Sequence, residues 1–449
     1  FSAFVAIVWS ILIHCSYIPF LLLLLISVFI FVSIYILNNE FKIIELDKKS
    51  CVLSIFITWI LLILMGAIPF YIIFPKENIR DIIFLSVSLS STSGIWTEIN
   101  TINNPEFLIW QAILQWLGGL CTILVGSFFV EMVLRKRNII NDYFSIENIK
   151  IIFYLFLSFT IIFILLFKLF SNSWSNSIQL SMALISTSNA YLSNGDIIVE
   201  SNIITKIIML FAMIVGSLSI SLHYKSFTQG VLSYFRNKRF KLAFILILII
   251  TLFITMVTFN DIKIPFYEKY IDVCFLIISF ISTTGLIPHN LYQYGALANL
   301  LLILSLLCLI GGSVSSTTGG IKPTRILYIY KYISIELFRL GNPRKIKAKE
   351  KINSIDEISQ ILIFTILYLA LIPILASLIS IFNINFEEAF IIVISALSNT
   401  GIGLLEIANI NYYPKTFIEV ILLSIILLFG RIEIFITMIL ISSIFWKKL

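Results

Sequence analysis

One apolar stretch of the chain is interrupted by the run Gly311-Gly312-Ser313-Val314-Ser315-Ser316-Thr317-Thr318-Gly319-Gly320. The apolar segment before it, 296–310, would cover about 22 Å as a helix, less than the roughly 30 Å of a bilayer's hydrocarbon core. The segment after it, 321–333, can complete the crossing. Lipid offers no partner to the backbone groups that such a break exposes, so the run predicts a helix broken midway beside a conduction pathway. A soluble loop between two separate helices is the alternative.

Composition identifies the chain as a polytopic membrane protein. Hydrophobic residues make up 59% of the sequence, charged residues 12%, and the mean hydropathy is +1.03. A soluble domain carries about 25% charged residues. The net charge of +7 is concentrated in a few Lys- and Arg-rich loops, which predicts cytoplasmic loops and no nucleic-acid partner. The five cysteines have neither metal-ligand nor disulfide spacing, and because the chain starts at Phe1 we expect residues to precede it.

Hydropathy predicts about ten crossings, which place the basic loops and both termini on one side of the bilayer. The candidate spans are 3–16, 19–37, 52–74, 108–134, 151–170, 203–223, 242–258, the broken 296–333, 358–382 and 415–446. Four apolar stretches between them are too short to cross: Asp81–Leu89, Ser177–Ser186, Asp272–Ile281 and Glu388–Leu397. These stretches predict four re-entrant pore helices on the side opposite the basic loops.

A small polar cluster follows each short stretch. The clusters are Ser91-Thr92-Ser93-Gly94-Ile95, Thr187-Ser188-Asn189-Ala190-Tyr191, Ser282-Thr283-Thr284-Gly285-Leu286 and Ser398-Asn399-Thr400-Gly401-Ile402. In three of them an acidic residue precedes the glycine by 13 positions, at Asp81, Asp272 and Glu388. An acid suits the start of a helix and a glycine suits its exit. The second cluster has neither feature.

This repetition predicts an all-α polytopic membrane protein built from four units of span, pore helix, polar cluster and span around a central pore. The predicted boundaries are an N-terminal transmembrane hairpin at 1–40 and pore repeats at 50–137, 148–225, 240–335 with its broken second span, and 356–449. Four extended segments that converge on one axis can replace the hydration shell of a cation with backbone carbonyls. One such cluster alone would be an ordinary loop, but four at matched positions favour a selectivity filter.

Four segments of the sequence resemble the Trk/Ktr/HKT superfamily of potassium transporters, and the N-terminal hairpin makes the chain similar to the bacterial Trk-type membrane subunit. They are Gln115-Trp116-Leu117-Gly118-Gly119, the stretch from Gly311 to Arg325, the run from Ser395 to Gly401, and Gly430-Arg431-Ile432-Glu433. The resemblance covers nearly the whole chain. It implies a homodimer with one pore per subunit and a cytosolic nucleotide-binding regulatory subunit (TrkA-like).

By this resemblance, Gly94, Gly285 and Gly401 are filter glycines. In the second repeat the glycine position falls at Tyr191 when the alignment is made on Asn189, and at Ala190 when it is made on the start of the pore helix. Either choice leaves potassium over sodium selectivity open. The implied potassium-binding filter is Thr92, Ser93, Gly94, Ile95, Ser188, Asn189, Ala190, Tyr191, Thr283, Thr284, Gly285, Leu286, Asn399, Thr400, Gly401 and Ile402.

The resemblance also implies that the glycine-rich break occludes the pore below the filter. We expect Arg431 to donate hydrogen bonds to carbonyls of this loop and to hold the gate closed, with a structural Arg to Glu pair as the alternative. Lys322 and Arg325 either line the cytoplasmic mouth or snorkel to the interface, and Lys168 and Lys206 are expected to snorkel. The expected gate is Gly311, Gly312, Ser313, Ser315, Ser316, Thr317, Thr318, Gly319, Gly320, Lys322 and Arg431.

The function implied is potassium uptake across the bacterial inner (cytoplasmic) membrane, driven by the membrane potential, with potassium as substrate and no cofactor in this chain. A secondary transporter and a sodium-permeable cation transporter of the same superfamily are the alternatives. The sequence contains no HExxH, GxSxG or Walker motif, and the hydroxyls near Ser315 have no accompanying histidine, so we expect no enzyme activity.

Overall fold

The structure, a computed structural model, describes residues 2–37, 48–95, 104–134, 146–170, 173–189, 198–199, 202–230, 232–236, 238–258, 265–293, 296–341 and 355–432. Within these ranges the fold is helical, which confirms the predicted fold class. The chain starts with a hairpin of α1 (Ser2–Ile13) and α2 (Ile18–Leu37). Pro19 lies in the first turn of α2, where its missing N–H costs no hydrogen bond.

Four groups of helices follow the hairpin. The first is α3 (Lys48–Ile73), α4 (Ile79–Ser90) and α5 (Pro105–Leu134). The second is α6 (Ile146–Phe170), α7 (Trp174–Ile185), strand β1 (Ile198–Val199), α8 (Ile203–Ser217), α9 (Ile220–Gln229) and α10 (Ser233–Arg236). In each group one 12-residue helix, α4 or α7, packs against the helix before it and the helix after it.

The third group is α11 (Lys238–Thr258), α12 (Phe266–Ile281), strand β2 (Ile287–Pro288), α13 (His289–Gln293), a 3-10 turn (Ala296–Leu300), α14 (Leu301–Ile310) and α15 (Pro323–Gly341). The fourth is α16 (Ile355–Ser380), α17 (Phe386–Ser398), α18 (Ile402–Ile407) and α19 (Phe417–Arg431). Strands β1 and β2 pair in parallel and tie the second group to the third.

The short helices lie in the interior of the molecule. Residues 84–90 of α4, 272–280 of α12 and 392–398 of α17 are buried without interruption. Seven of the twelve residues of α7 are buried. The buried serines of these short helices stay hydrogen-bonded, since Ser86 donates to the carbonyl of Ile63 and Ser398 donates to that of Ile394. The longer helices therefore form the outside of the bundle, and the C-terminal ends of the four short helices lie inside it.

Two of the differences between the observed and the predicted helix bounds affect the predicted repeat. Helix α12 begins at Phe266, so Asp272 lies in its second turn rather than at its start. The span predicted at 203–223 ends at Ser217, and α9 continues from Ile220 at an angle of 105°. In the described part of the chain, four helices are long and apolar enough to cross a membrane, and a fifth if the bent pair is counted as one span. This number is lower than the ten crossings expected, whose last span, 415–446, extends beyond the described residues.

Candidate functional site

The four short helices end in the same backbone conformation. Their exits read Ser91-Thr92-Ser93-Gly94, Ser186-Thr187-Ser188-Asn189, Ser282-Thr283-Thr284-Gly285 and Ser398-Asn399-Thr400-Gly401. The second residue of each has a positive φ, of 58°, 50°, 56° and 55° in chain order. A β-branched threonine rarely adopts this conformation, so three threonines in it mark a backbone that the surrounding structure imposes.

Backbone hydrogen bonds fix the register between these exits. The carbonyl oxygens of Ser88, Ala183, Ser279 and Ser395 accept from the N–H groups five residues later, at 3.0, 2.9, 2.8 and 3.1 Å. In the first, third and fourth exits the same oxygen also accepts from the glycine N–H. Counted from these bonds, Asn189 occupies the position of Gly94, Gly285 and Gly401.

This register corrects both alignments made from the sequence, which placed the missing glycine at Ala190 or Tyr191. Those two residues lie outside the described part of the chain. The signal that would have given the right answer is the pair Ser186-Thr187, which matches Ser91-Thr92 and Ser282-Thr283. One alignment failed because it equated Asn189 with Asn399, and the other because it counted from Ser177 as the start of a helix that begins at Trp174.

In three of the four exits a serine hydroxyl bonds to the backbone of the glycine or of the residue after it. Ser88 Oγ donates to the carbonyl of Ile95 at 2.8 Å, and Ser279 Oγ accepts from the N–H of Leu286 at 2.7 Å. Ser395 Oγ donates to the carbonyl of Gly401 at 2.5 Å. The second exit has Ala183 at the equivalent position.

Another helix provides the support in the second exit. Gln115 Nε2, on α5, donates to the carbonyl of Asn189 at 3.1 Å. Gln115 belongs to the Gln-Trp-Leu-Gly-Gly motif on which the family resemblance was based. The motif therefore contacts the second exit directly.

The three glycines have positive φ values, of 63° at Gly94, 76° at Gly285 and 70° at Gly401. A Cβ atom on Gly401 would overlap the carbonyl oxygen of Ser93, and one on Gly285 would overlap that of Thr400. Backbone from the first, third and fourth exits thus meets at van der Waals distance. This close approach is the reason that glycine is needed there.

The second exit meets the other three through the side chain of Asn189. Its Nδ2 atom donates to the carbonyl oxygens of Ser93 at 3.1 Å and Thr400 at 3.4 Å. A Cβ placed on Gly285 would lie 2.9 Å from Asn189 Oδ1. Residues of all four exits therefore converge on one place, which we call the exit ring.

The residues that follow the ring glycines contribute to the protein core. Ile95, Leu286 and Ile402 are all buried in apolar clusters. Helix α18 begins at Ile402, so the fourth exit does not continue as the extended segment that the sequence predicted. In the described residues no group of three His, Cys, Asp or Glu side chains is placed to hold a metal ion. The oxygen atoms of the exit ring are thus main-chain carbonyls, hydroxyl groups and the amide oxygen of Asn189 rather than carboxylates.

The glycine-rich run forms a loop between α14 and α15, as predicted. Helix α14 ends at Ile310 and α15 begins at Pro323. The loop contacts the exits, because the N–H of Gly319 donates to Thr283 Oγ1 at 3.2 Å and Thr317 Oγ1 bonds to the carbonyl of Ile185 at 3.3 Å. A Cβ on Gly319 would overlap the carbonyl oxygen of Ser398. The loop therefore packs directly against the ends of the short helices.

Arg431 joins the loop to the first exit. Its guanidinium donates to the carbonyl oxygens of Ser91 and Thr317 and to the hydroxyl of Thr92. The side chain is 4% exposed, and its partners in the described residues are these neutral oxygens rather than a carboxylate. The contact with the loop is the one expected from the sequence, while Glu433 lies outside the described residues.

The bend between α8 and α9 holds the other side of the loop. The carbonyl of Ser217 accepts from both the N–H and the Oγ of Ser313 at 2.9 Å, and the N–H of Ile220 donates to the carbonyl of Ser315 at 3.2 Å. The backbone groups freed at the bend are satisfied by backbone groups freed at the break. The bend between α8 and α9 and the break between α14 and α15 therefore supply hydrogen-bond partners to each other.

Two cations at the end of the loop are buried rather than snorkelling. Lys322 is 6% exposed and its ammonium donates to the carbonyl and hydroxyl of Thr318. Arg325 is 7% exposed and lies 3.9 Å above the ring of Phe364. Lys322 therefore fastens the loop, whereas Arg325 packs against α16.

The sequence predicted that Lys206 snorkels to the membrane interface, but its side chain is buried. Its ammonium lies 2.6 Å from Asp272 Oδ1, and Asn290 Nδ2 donates to Oδ2 of the same carboxylate at 2.9 Å. The Lys206 and Asp272 side chains are only 8% and 2% exposed. The acidic residue that was interpreted as a helix start instead forms a buried ion pair between α8 and α12.

The comparisons with known proteins give relatives along most of the chain. No protein-family model matches it. An uncharacterized cation transporter of Methanocaldococcus jannaschii is 28% identical over 432 residues, which cover 92% of this chain and 87% of that relative. The Trk system potassium uptake proteins TrkH of Vibrio parahaemolyticus and Escherichia coli K12 are 25% identical over 440 and 431 residues, each alignment covering 90% of this chain and 87% of the relative.

The fold is also similar to a solved structure. The crystal structure of the potassium transporter TrkH from Vibrio parahaemolyticus matches with a TM-score of 0.86 at 23% identity, covering 98% of this chain and 95% of that one. The predicted resemblance is thereby confirmed. The relatives are transporters by name, which also confirms the expectation that this chain is not an enzyme.

Proposed function

We propose that this protein is the membrane subunit of a potassium uptake system and that potassium ions pass through the exit ring. The observation that carries the proposal is the meeting of four chain segments at the Asn189 side chain, which contacts Ser93, Thr400 and the glycine at 285. Supporting it, the TrkH relatives are potassium uptake proteins by name. The alternatives of a secondary transporter and a sodium-permeable transporter have no comparable support.

The chemistry of the ring suits a monovalent cation. Potassium exchanges its hydration shell for uncharged oxygen ligands at little cost when backbone carbonyls are held in place. The C-terminal ends of α4, α7, α12 and α17 lie at the ring, and each carries a partial negative charge of about half an elementary charge. This arrangement stabilises one positive charge without a carboxylate. A membrane potential of 100 mV supplies about 2.3 kcal/mol for each inward charge, so no chemical step is required.

We propose further that the loop from Gly311 to Lys322 is the gate and that Arg431 holds it closed. The loop packs against the exits at Gly319, and Arg431 bonds it to the first exit through Thr317. A buried guanidinium beside a cation pathway also raises the electrostatic barrier to an ion. Movement of the loop away from the exits would break these bonds and open the path.

The family resemblance also suggests a membrane, an oligomeric state and a partner for this protein. We place the protein in the inner membrane of its cell, as a homodimer with one pore per subunit and a cytosolic nucleotide-binding partner. The described helices include spans long enough for a bilayer. Crosslinking of the intact protein in native membranes would show a species of twice the subunit mass if the dimer is correct and the single subunit alone if it is wrong.

Growth of a bacterium that lacks its own potassium uptake systems tests the proposed function. Expression of this chain, together with its regulatory partner, is expected to restore growth on limiting potassium and to produce rubidium uptake that collapses with the membrane potential. The matched control is Gly285→Val, which would place a side chain against the carbonyl of Thr400. Equal growth of the two strains, or wild-type uptake of sodium without rubidium, would overturn the proposal.

A further inference from the structure

Asn189 gives the second exit an amide side chain at the position where each of the other three exits has a glycine. At the positions of Gly94, Gly285 and Gly401, this exit carries an amide side chain, and the residue is 1% exposed. Its Nδ2 atom donates to the carbonyls of Ser93 and Thr400. An amide group is therefore built into the meeting point of the four segments.

The surroundings of the amide show that it lies between the glycines rather than beside them. Cβ atoms on Gly94 and Gly401 would lie 3.4 and 3.0 Å from Asn189 Nδ2, and one on Gly285 would lie 2.9 Å from Oδ1. Each of these glycines belongs to a different exit. The amide thus fills the space that the absence of three side chains leaves open.

The hydrogen bonds of the amide are unequally distributed between its two ends. The Nδ2 end has two carbonyl acceptors, while Oδ1 is buried and has no hydrogen-bond partner in the part of the chain that the structure describes. A buried carbonyl acceptor without a partner costs free energy, so such groups usually have a purpose beyond packing. Half a turn about the Cβ–Cγ bond would exchange the two ends.

The geometry points to Asn189 as the residue that sets the affinity and selectivity of the ring for cations, an inference that rests on the proposed function. The amide hydrogens of Asn189 are bonded to the carbonyl oxygens of Ser93 and Thr400. A dehydrated cation in the ring would need the same oxygens as ligands. A cation at this level displaces the nitrogen end of the amide and accepts Oδ1 as a side-chain ligand instead.

Two consequences follow for transport. The cation competes with two hydrogen bonds, so potassium occupies the ring less readily than it would with glycine at position 189, by about tenfold. A rotatable side-chain oxygen also adjusts to a smaller ion more easily than a fixed backbone carbonyl does. The wild-type ring therefore discriminates less between potassium and sodium than a ring of four glycines.

Purified protein in liposomes and in detergent tests this inference with two variants. Asn189→Gly removes the whole side chain, and Asn189→Ala removes the amide without adding backbone freedom. The matched control is Asn202→Gly, an exposed asparagine that precedes α8 and makes no side-chain cap. The readouts are the potassium concentration that half-maximally raises the melting temperature, and the reversal potential under a potassium and sodium gradient.

We expect both Asn189 variants to bind potassium at about tenfold lower concentration than the wild type and to shift the reversal potential toward potassium, with Asn202→Gly unchanged. Unchanged potassium affinity in both variants would overturn the inference even if transport is normal. If no protein carries current, the proposed function fails, and the melting measurement still decides the inference: potassium stabilisation at lower concentration in the variants supports it, and identical or absent stabilisation overturns it.

Discussion

The second exit and the other three exits have the same backbone conformation but support it with different residues. The exits at Gly94, Gly285 and Gly401 combine a supporting serine hydroxyl with a glycine, whereas the second has Ala183 and Asn189 at these positions. A positive φ at the second residue and the carbonyl bond five residues back are common to all four. The shared backbone conformation therefore sets the shape of the ring. The residues at the serine position and at the glycine position determine which polar groups surround it.

The largest effect is expected from adding one methyl group to a ring glycine. Gly401→Ala would place a Cβ in overlap with the carbonyl of Ser93 and force a non-glycine residue to a φ of 70°. Because backbone cannot yield as a flexible side chain does, rubidium uptake should fall by about a hundredfold or more. Asn189→Ala is the contrasting variant, since that position already carries a Cβ, and it should keep transport. Similar losses in both variants would remove the distinction between the exits.

The attachment of the second group to the third is expected to have the next largest effect. Lys206→Met leaves Asp272 buried without its cation, which should lower the stability in detergent by about 3–5 kcal/mol. A companion variant with Asp272→Asn as well would recover part of this loss, because no uncompensated charge remains. Denaturation midpoints of the purified variants measure both. If Lys206→Met alone is as stable as the wild type, the ion pair does not anchor α8 to α12.

A smaller effect is expected at the supporting hydroxyls. Ser279→Ala leaves the buried N–H of Leu286 without its acceptor, at a cost of about 1–3 kcal/mol. The matched change is Ala183→Ser in the second exit, where Gln115 already supplies the support, and it should be close to neutral. Melting temperatures distinguish the two. An equal loss from both would show that packing around the hydroxyl, rather than its hydrogen bond, matters.

The smallest predicted change concerns the gate, where the first and second exits differ again. The Thr92 hydroxyl accepts from Arg431, while that of Thr187 has no hydrogen-bond partner in the described residues. Arg431→Ala removes the bond to the loop and should raise cation flux by about threefold to tenfold, equivalent to roughly 1 kcal/mol. Arg431→Lys keeps the charge and should raise it less. Unchanged or lower flux in correctly inserted Arg431→Ala protein would contradict a closing role.

The sequence was informative wherever the signal was local. The run from Gly311 to Gly320 predicted the break between α14 and α15, because four glycines and five hydroxyl residues close together favour loop over helix. The four short apolar stretches predicted helices that the structure contains at α4, α7, α12 and α17. The contact of Arg431 with the loop was expected from the family resemblance and not from a local signal, because Arg431 and Thr317 are 114 residues apart.

The sequence was uninformative where a contact depends on distant parts of the chain. Lys206 and Asp272 are 66 residues apart, and nothing local to either indicates the pair. The bend at Ser217 has its cause in Ser313 and Ser315, which supply hydrogen bonds that a straight helix would not need. The register of Asn189 was within reach of the sequence but required alignment on the helix exit instead of on the polar cluster.

The occupancy of the exit ring by a heavy monovalent cation tests the account most directly. Crystals of Asn189→Gly and wild-type protein grown with thallium would be compared by anomalous diffraction. The account predicts a peak bounded by the carbonyl oxygens of Ser93 and Thr400 in the variant, and a weaker peak at the same place in the wild type. A variant map with no thallium there, or with thallium bound only elsewhere, would contradict it.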